Sequence, residues 1–366
     1  MKKNLLLVFF AVVFSFFLAE VALRIFNVEQ PKMSNQPKED WVLVPERVWT
    51  EHHPELGWYH QSMKHAFLPT TEGEVDVHTN RDGFRGVRDY SLEKQEGITR
   101  VLFLGDSFVF GYGVKDGEGV CAQLERLDSR PEVLNLGVPG YGIDQILMSY
   151  RVIGKKFHPD IVLIGVFPEQ FWRATRAFAD SGHAKPYFKL LANGDLVLKN
   201  VPVPQPFELT TNQYPILVER NPIELLLMKS EVYKLMRKGM LRLGKNLKIL
   251  DPDLTDEWIL GQAMLKQLIT EIKESHSIPV LVVIPPDRWV KGERKFSLEK
   301  SLVRFADRMD VPFLDLTPIF RRKVSEEGLT KYYIQDDWHW TAEGHRLAAK
   351  SIYDYLIQQG YLKKVS

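Results

Sequence analysis

RVLFLGDSFVFGYGV, residues 100–114, is the stretch on which the fold turns. The apolar run from Val101 to Gly105 stops at Asp106 and Ser107, and glycine and further apolar residues follow. A short, continuous apolar run closed by a turn signal reads as a strand buried on both faces. Such a strand can simply end there, with Ser107 as the cap of a following helix. Alternatively, it presents Ser107 as a nucleophile at the carboxyl edge of a parallel sheet, where α/β folds bind their ligands. The rest of the chain decides between the two.

The same pattern recurs at VLNLG (133–137), IVLIGVF (161–167), VLVVIPP (280–286) and VPFLDL (311–316). Most of these runs are separated by segments of helical character. Five such strands predict an α/β domain of three layers, flavodoxin-like, with a parallel sheet at its centre. About 110 residues separate the third run from the fourth, far more than a crossover needs. Within them, 186–204 reads as a hairpin turning at Asn193-Gly194, and 221–245 as a helix with Pro222 near its start. A second helix is expected over about 255–275, capped by Thr255 with Asp256 and Glu257 in its first turn. An insertion at about 170–250 is therefore expected over the sheet's carboxyl edge.

The N-terminus reads differently. Lys2 and Lys3 precede an apolar run from Leu5 to Ala19 that extends to Phe26, broken by Ser15, Glu20 and Arg24. That is long enough for a bilayer-spanning helix, with Glu20 and Arg24 paired one turn apart at its far end. Cuts after Ala19 or Ala22 would leave Phe17 or Glu20 three residues before the cleaved bond, a poor signal-peptidase pattern, so an uncleaved anchor is favoured over a removed signal. The lysines keep the N-terminus cytoplasmic and place the remainder outside. The expected organisation is an anchor (1–26), a proline-containing tether (27–57) and one catalytic domain (58–366). Within that domain, 58–90 reads as short strands and turns, with Asp82-Gly83 a tight turn.

A net charge of +1 without a long basic run gives no sign of a nucleic-acid partner. The single cysteine, Cys121, excludes an intrachain disulfide framework and a cysteine-based zinc site, and reads as a small buried hydrophobe. Gly111–Gly119 fits neither a P-loop nor a dinucleotide fingerprint, so no cofactor is expected. His158 is expected at the opposite, amino edge of the sheet. A metal site from Asp336, Asp337, His339 and His345 has unconvincing spacing, and no metal is expected there.

A serine nucleophile needs a base and an acid to orient it. Both stand in YYIQDDWHWTAEGHRLAAKSIYDYL near the C-terminus, where His339 precedes an amphipathic helix over 342–356. Either Asp336 or Asp337 can reach its Nδ1 and leave Nε2 for the serine proton. GDSF after the first strand, NLGVPGYG after the second and the terminal Asp-x-x-His together resemble the SGNH (GDSL-type) hydrolase family, over roughly residues 55–360. TNRDGFRG and the KPYF to NVPVP stretch resemble its membrane-anchored bacterial members. The resemblance implies Ser107 as nucleophile, His339 as base, Asp336 as its orienter, and Gly140 with the Ser107 amide as oxyanion donors.

One block departs from the family pattern. After the third strand GVFPEQF places Glu169 where an oxyanion-hole asparagine belongs and Gln170 where an aspartate follows. An ionised glutamate donates no hydrogen bond, which leaves Gln170 as the candidate third donor. The resemblance implies a membrane-anchored, extracytoplasmic esterase or O-acyltransferase acting on acyl, above all acetyl, esters of a cell-envelope or exported glycan. The rival readings are a non-catalytic glycan- or partner-binding relative and a lipid esterase or thioesterase.

Overall fold

The computed structural model of the 366-residue chain describes residues 14–24, 49–70, 73–179, 183–204, 255–292 and 297–363, with a few more between 227 and 236. A described hairpin spans the expected boundary at 58. Strands β1 (Thr50–His53) and β2 (Gly57–His60) pair antiparallel. Trp49 and Leu56 are buried, and Gln145 donates to the Leu56 carbonyl at 2.9 Å. Apolar side chains spaced between prolines thus hide a hairpin inside what reads as a tether. A second antiparallel hairpin follows, β3 (His65–Thr70) and β4 (Gly73–His78). Beyond β4, Asp82-Gly83 makes the expected tight turn, with the Asn80 side-chain oxygen accepting from the amides of Asp82 and Phe84 at 3.0 and 2.9 Å.

The five apolar runs form one parallel sheet. In chain order its surroundings are β5 (Arg100–Gly105), α1 (Ser107–Phe110), α2 (Val120–Leu127), β6 (Glu132–Gly137), α3 (Ile143–Val152), β7 (Ile161–Val166) and α4 (Pro168–Arg173). After the hairpin β8 (Tyr187–Leu190) and β9 (Leu196–Lys199) come α5 (Asp256–Glu274), β10 (Ile278–Val283), α6 (Asp287–Val290), α7 (Ser297–Met309), β11 (Phe313–Asp315), α8 (Thr317–Glu327) and α9 (Ala342–Gln358). The sheet order is β11-β10-β7-β5-β6 with every pair parallel. From β5 the chain moves outward to β6 and then crosses to β7 on the other side. The order therefore reverses beside β5, and a crevice opens there at the carboxyl ends.

Alternation along the strands makes the three layers. Leu102 and Leu104 face a core shared with Ile146, Leu265 and Leu302, from α3, α5 and α7. Val101 and Phe103 face the opposite core, with Leu124, Phe320 and Ile352, from α2, α8 and α9. The strand β5 is buried along its whole length because it has a helical layer on each side. At its carboxyl end α1 lies directly on β6. A Cβ on Gly137 would stand 2.2 Å from the Phe110 amide nitrogen, so only glycine permits this approach.

In the inserted region the hairpin turns at Asn193-Gly194 as expected, with Gly194 at φ 92°. Helix α5 matches the expected second helix, and the Thr255 hydroxyl caps it by accepting from the Trp258 amide at 3.2 Å. The helix expected over 221–245 lies almost wholly outside the described residues. Residues 14–24 are helical, and Arg24 Nε donates to Glu20 at 2.8 Å, the pairing expected at the end of an anchor. Among the described residues no helix is long and apolar enough to cross a membrane, and residues 1–13, 25 and 26 of the expected span fall outside them.

Candidate active site

Ser107 opens α1 immediately beyond β5. Asp106 caps that helix, its carboxylate accepting from the Phe108 amide at 3.2 Å. Gly105 and Asp106 turn the chain sharply enough to set Ser107 at the sheet's edge, with its amide in the first turn. Its hydroxyl lies 2.8 Å from His339 Nε2, and both residues are nearly buried. Two residues 232 positions apart in sequence thus meet in one hydrogen bond.

The imidazole is oriented by Asp337, not by Asp336 as the family resemblance implies. Asp337 Oδ1 accepts from His339 Nδ1 at 2.6 Å and from the His339 backbone amide at 2.9 Å. This is the local ring that an aspartate makes with the residue two positions on. Asp336 instead sits exposed at the tip of the turn with φ 56°, one residue too early to fold back. The turn closes through the Ile334 amide, which donates to the His339 carbonyl at 2.9 Å. Burial alone would raise the Asp337 carboxyl, but the hydrogen bond and charge of His339 and the amides of His339 and Trp338 outweigh it and hold it below the usual carboxylate range. A carboxylate on Nδ1 fixes the proton there and leaves Nε2 to receive the serine proton.

Gly140 is placed as expected, in the turn after β6, with φ 86° and a position on the cavity wall beside Ser107. Outside the helices and strands, the amides of Ser107 and Gly140 donate to no backbone carbonyl among the described residues. Gln170 is not a third donor. It is only 1% exposed, its side-chain nitrogen donates to the Gly165 carbonyl at 3.1 Å, and its oxygen accepts from the Phe167 amide at 3.1 Å. Both ends of the amide cap α4 and tie it to β7. Glu169 pairs with Arg288 on α6 and does not line the cavity, so its charge is turned away from the site.

The cavity, of about 380 Å³, is lined around the triad by Trp58, Trp172, Arg173, Arg176, Lys185 and Trp338. Sequence reasoning did not single out its cations. Arg173 Nη1 donates to Asp106 Oδ2 at 3.0 Å and to the Tyr141 carbonyl at 3.2 Å. Arg176 stacks over Trp172 with its guanidinium carbon 3.5 Å from the ring centroid. Lys185 is buried in an ion pair with Asp144. Burial drives the lysine down, Asp144 opposes this, and the neighbouring charges of Arg173 and Arg176 push it further down. The signal for the arginines was present in FWRATRAF, directly after the third strand, but their spacing names no motif.

Trp340 is buried in the core whereas Trp338 is exposed on the cavity rim. Cys121 is buried, and burial raises its thiol well above the usual value, so it is an inert packing residue. His158 precedes β7 at the sheet's amino edge.

A serine, a histidine and an aspartate in one hydrogen-bonded series, at the carboxyl edge of a parallel sheet, have the arrangement of a nucleophile–base–acid triad. No family model and no curated protein sequence matches this chain. Solved structures do match it. A protein assigned to the lipolytic G-D-S-L family from Desulfitobacterium hafniense DCB-2 is 16% identical, with 70% of this chain and 99% of that one covered and a TM-score of 0.38. The lipase/acylhydrolase from Enterococcus faecalis is 15% identical over 74% of this chain and 100% of its own, with a TM-score of 0.40. A catalytic mutant of an acetylxylan esterase from Geobacillus stearothermophilus is 14% identical over 72% and 96%, with a TM-score of 0.41.

Proposed function

We propose that this protein is a serine esterase of the SGNH (GDSL) type, hydrolysing or transferring a small acyl group, acetyl above all, carried by a cell-envelope or exported glycan. The observation that carries the reading is the unbroken series from Ser107 through His339 to Asp337. As the Ser107 oxygen attacks the ester carbonyl, His339 Nε2 takes its proton, and Asp337 stabilises the imidazolium. The amides of Ser107 and Gly140 face the developing oxyanion. His339 then returns the proton to the leaving alcohol, and the acyl-serine passes to water or to a sugar hydroxyl. The apolar N-terminal sequence supports an anchor in the bacterial inner membrane with the enzyme on its outer side.

One observation favours a second reading, a glycan-binding protein without catalysis: neither Glu169 nor Gln170 supplies a third donor. Losing one such donor typically costs about 100- to 1,000-fold in rate. Intact mass after treatment with a fluorophosphonate probe separates the readings. Labelling of the native chain that is lost in Ser107→Ala supports the esterase, after which acetylated glycans and longer acyl esters rank the substrates. A folded native chain that stays as unlabelled as Ser107→Ala gives the binding protein.

A further inference from the structure

The second hairpin carries a cluster of ligand-type side chains away from the active site. His65 on β3 stands directly opposite His78 on β4, and Asp76, two residues before His78, shares their face. One ligand atom from each of the three lies within 4.8 Å of the others. His65 Nε2 and Asp76 Oδ1 are 2.5 Å apart, and the two imidazole rings stack 4.2 Å apart at 8°. The side chains of His65 and Asp76 are about half exposed, so they can turn toward a shared ion.

His78 is held from behind in the way metal-bound histidines are held. Asp116, from the glycine-rich loop that matched no nucleotide motif, accepts from His78 Nδ1 at 2.7 Å and from its backbone amide at 3.0 Å. This commits Nδ1 and leaves Nε2 as the free lone pair. The other Asp116 oxygen accepts from Arg85 Nε at 3.1 Å, and the buried Arg85 donates to the carbonyls of Phe110, Gly111 and Val114. The hairpin's other face is packed, with Ala66, Leu68, Val75 and Val77 buried against Trp49 and Phe110. The three side chains therefore project from a fixed platform.

We propose that His65, Asp76 and His78 bind one divalent transition-metal ion, Zn²⁺ by the match of two imidazoles and a carboxylate to its preferences, with solvent completing the shell. The ion would clip β3 to β4 and, through Asp116 and Arg85, to the loop that follows α1. The proposal does not depend on the esterase reading.

The test is calorimetric titration of the chelator-treated full-length protein, in detergent and with a tag free of histidine, using ZnCl₂ alone. One equivalent is expected to bind, with affinity at least about tenfold weaker in His65→Ala and in His78→Ala, and about 10- to 100-fold weaker in Asp116→Asn. His65 is exposed, so His65→Ala serves should His78→Ala fail to fold by circular dichroism. Absence of saturable one-to-one binding overturns the proposal, as does unchanged affinity in folded His65→Ala.

Discussion

Arg173 and Asp106 are joined by a 3.0 Å charge-assisted hydrogen bond in which the aspartate is wholly buried. The same arginine nitrogen also holds the Tyr141 carbonyl, one residue after Gly140. One guanidinium thus ties the turn that carries Ser107 to the turn that carries Gly140. Arg173→Gln leaves a buried carboxylate without its partner, a loss of about 3–5 kcal/mol in related cases. It also frees the two turns to drift, and a shift of about 1 Å typically costs about 100-fold in rate. The expected result is a lower denaturation midpoint and slowed phosphonylation of Ser107. A folded variant labelled at the native rate would show that Arg173 does not position the site.

The assignment of Asp337 separates two adjacent residues by kinetics. Asp337→Asn is expected to reduce the acylation rate by roughly 10,000-fold, as loss of the orienting carboxylate does elsewhere. Asp336→Asn, at an exposed turn, should stay near the native rate. Fluorophosphonate labelling followed in time measures both, and the reverse order would return the role to Asp336.

His345 predicts a pH dependence of stability. It is fully buried against Trp340, and neither ring nitrogen has a hydrogen-bond partner among the described residues. Burial first, and then the charges of Arg85 and His339, lower it to about 3. Between its ordinary value of 6.5 and about 3 the unfolded chain takes a proton that the folded chain refuses. Stability from this residue is therefore complete above 6.5 and falls as the pH drops, by up to about 5 kcal/mol over the window. His345→Leu, which conserves apolar volume, should flatten that slope in urea denaturation run at several pH values. An unchanged slope would assign it to other groups.

The buried pair Lys185–Asp144 gives a double-mutant test. Lys185→Met should cost about 3–5 kcal/mol because it strands a buried carboxylate, and adding Asp144→Asn should recover much of it. Additive losses would mean that the two residues act separately.

The parallel sheet was legible because strands buried on both faces must be apolar along their whole length, as β5 and β7 are. Ser107 and Gly140 were legible as residues just beyond strand ends, and His339 as an imidazole beside two aspartates ahead of a helix. What was not legible depended on shape. Whether Asp336 or Asp337 meets the imidazole is decided by the dihedral angles of one tight turn. Gln170 has the right chemistry for a donor, but helix capping consumes it. Arg173 enters the site only because α4 ends beside Asp106, a tertiary fact without a local pattern. β1 was hidden because two short strands among prolines have too few residues to show alternation.

The contact between Ser107 and His339 also has a meaning for how the protein matures. The nucleophile lies on β5's edge, early in the chain, and its base arrives only with the last turn before α9. A ribosome that has delivered all five core strands has still not made the partner that meets the Ser107 hydroxyl. The Ser107–His339 contact forms only when this final segment docks, and long-range closure of this kind is slow. Reactivity of Ser107 is therefore a report on completed folding of the whole sheet, and it would distinguish full-length chains from translation fragments in the same preparation.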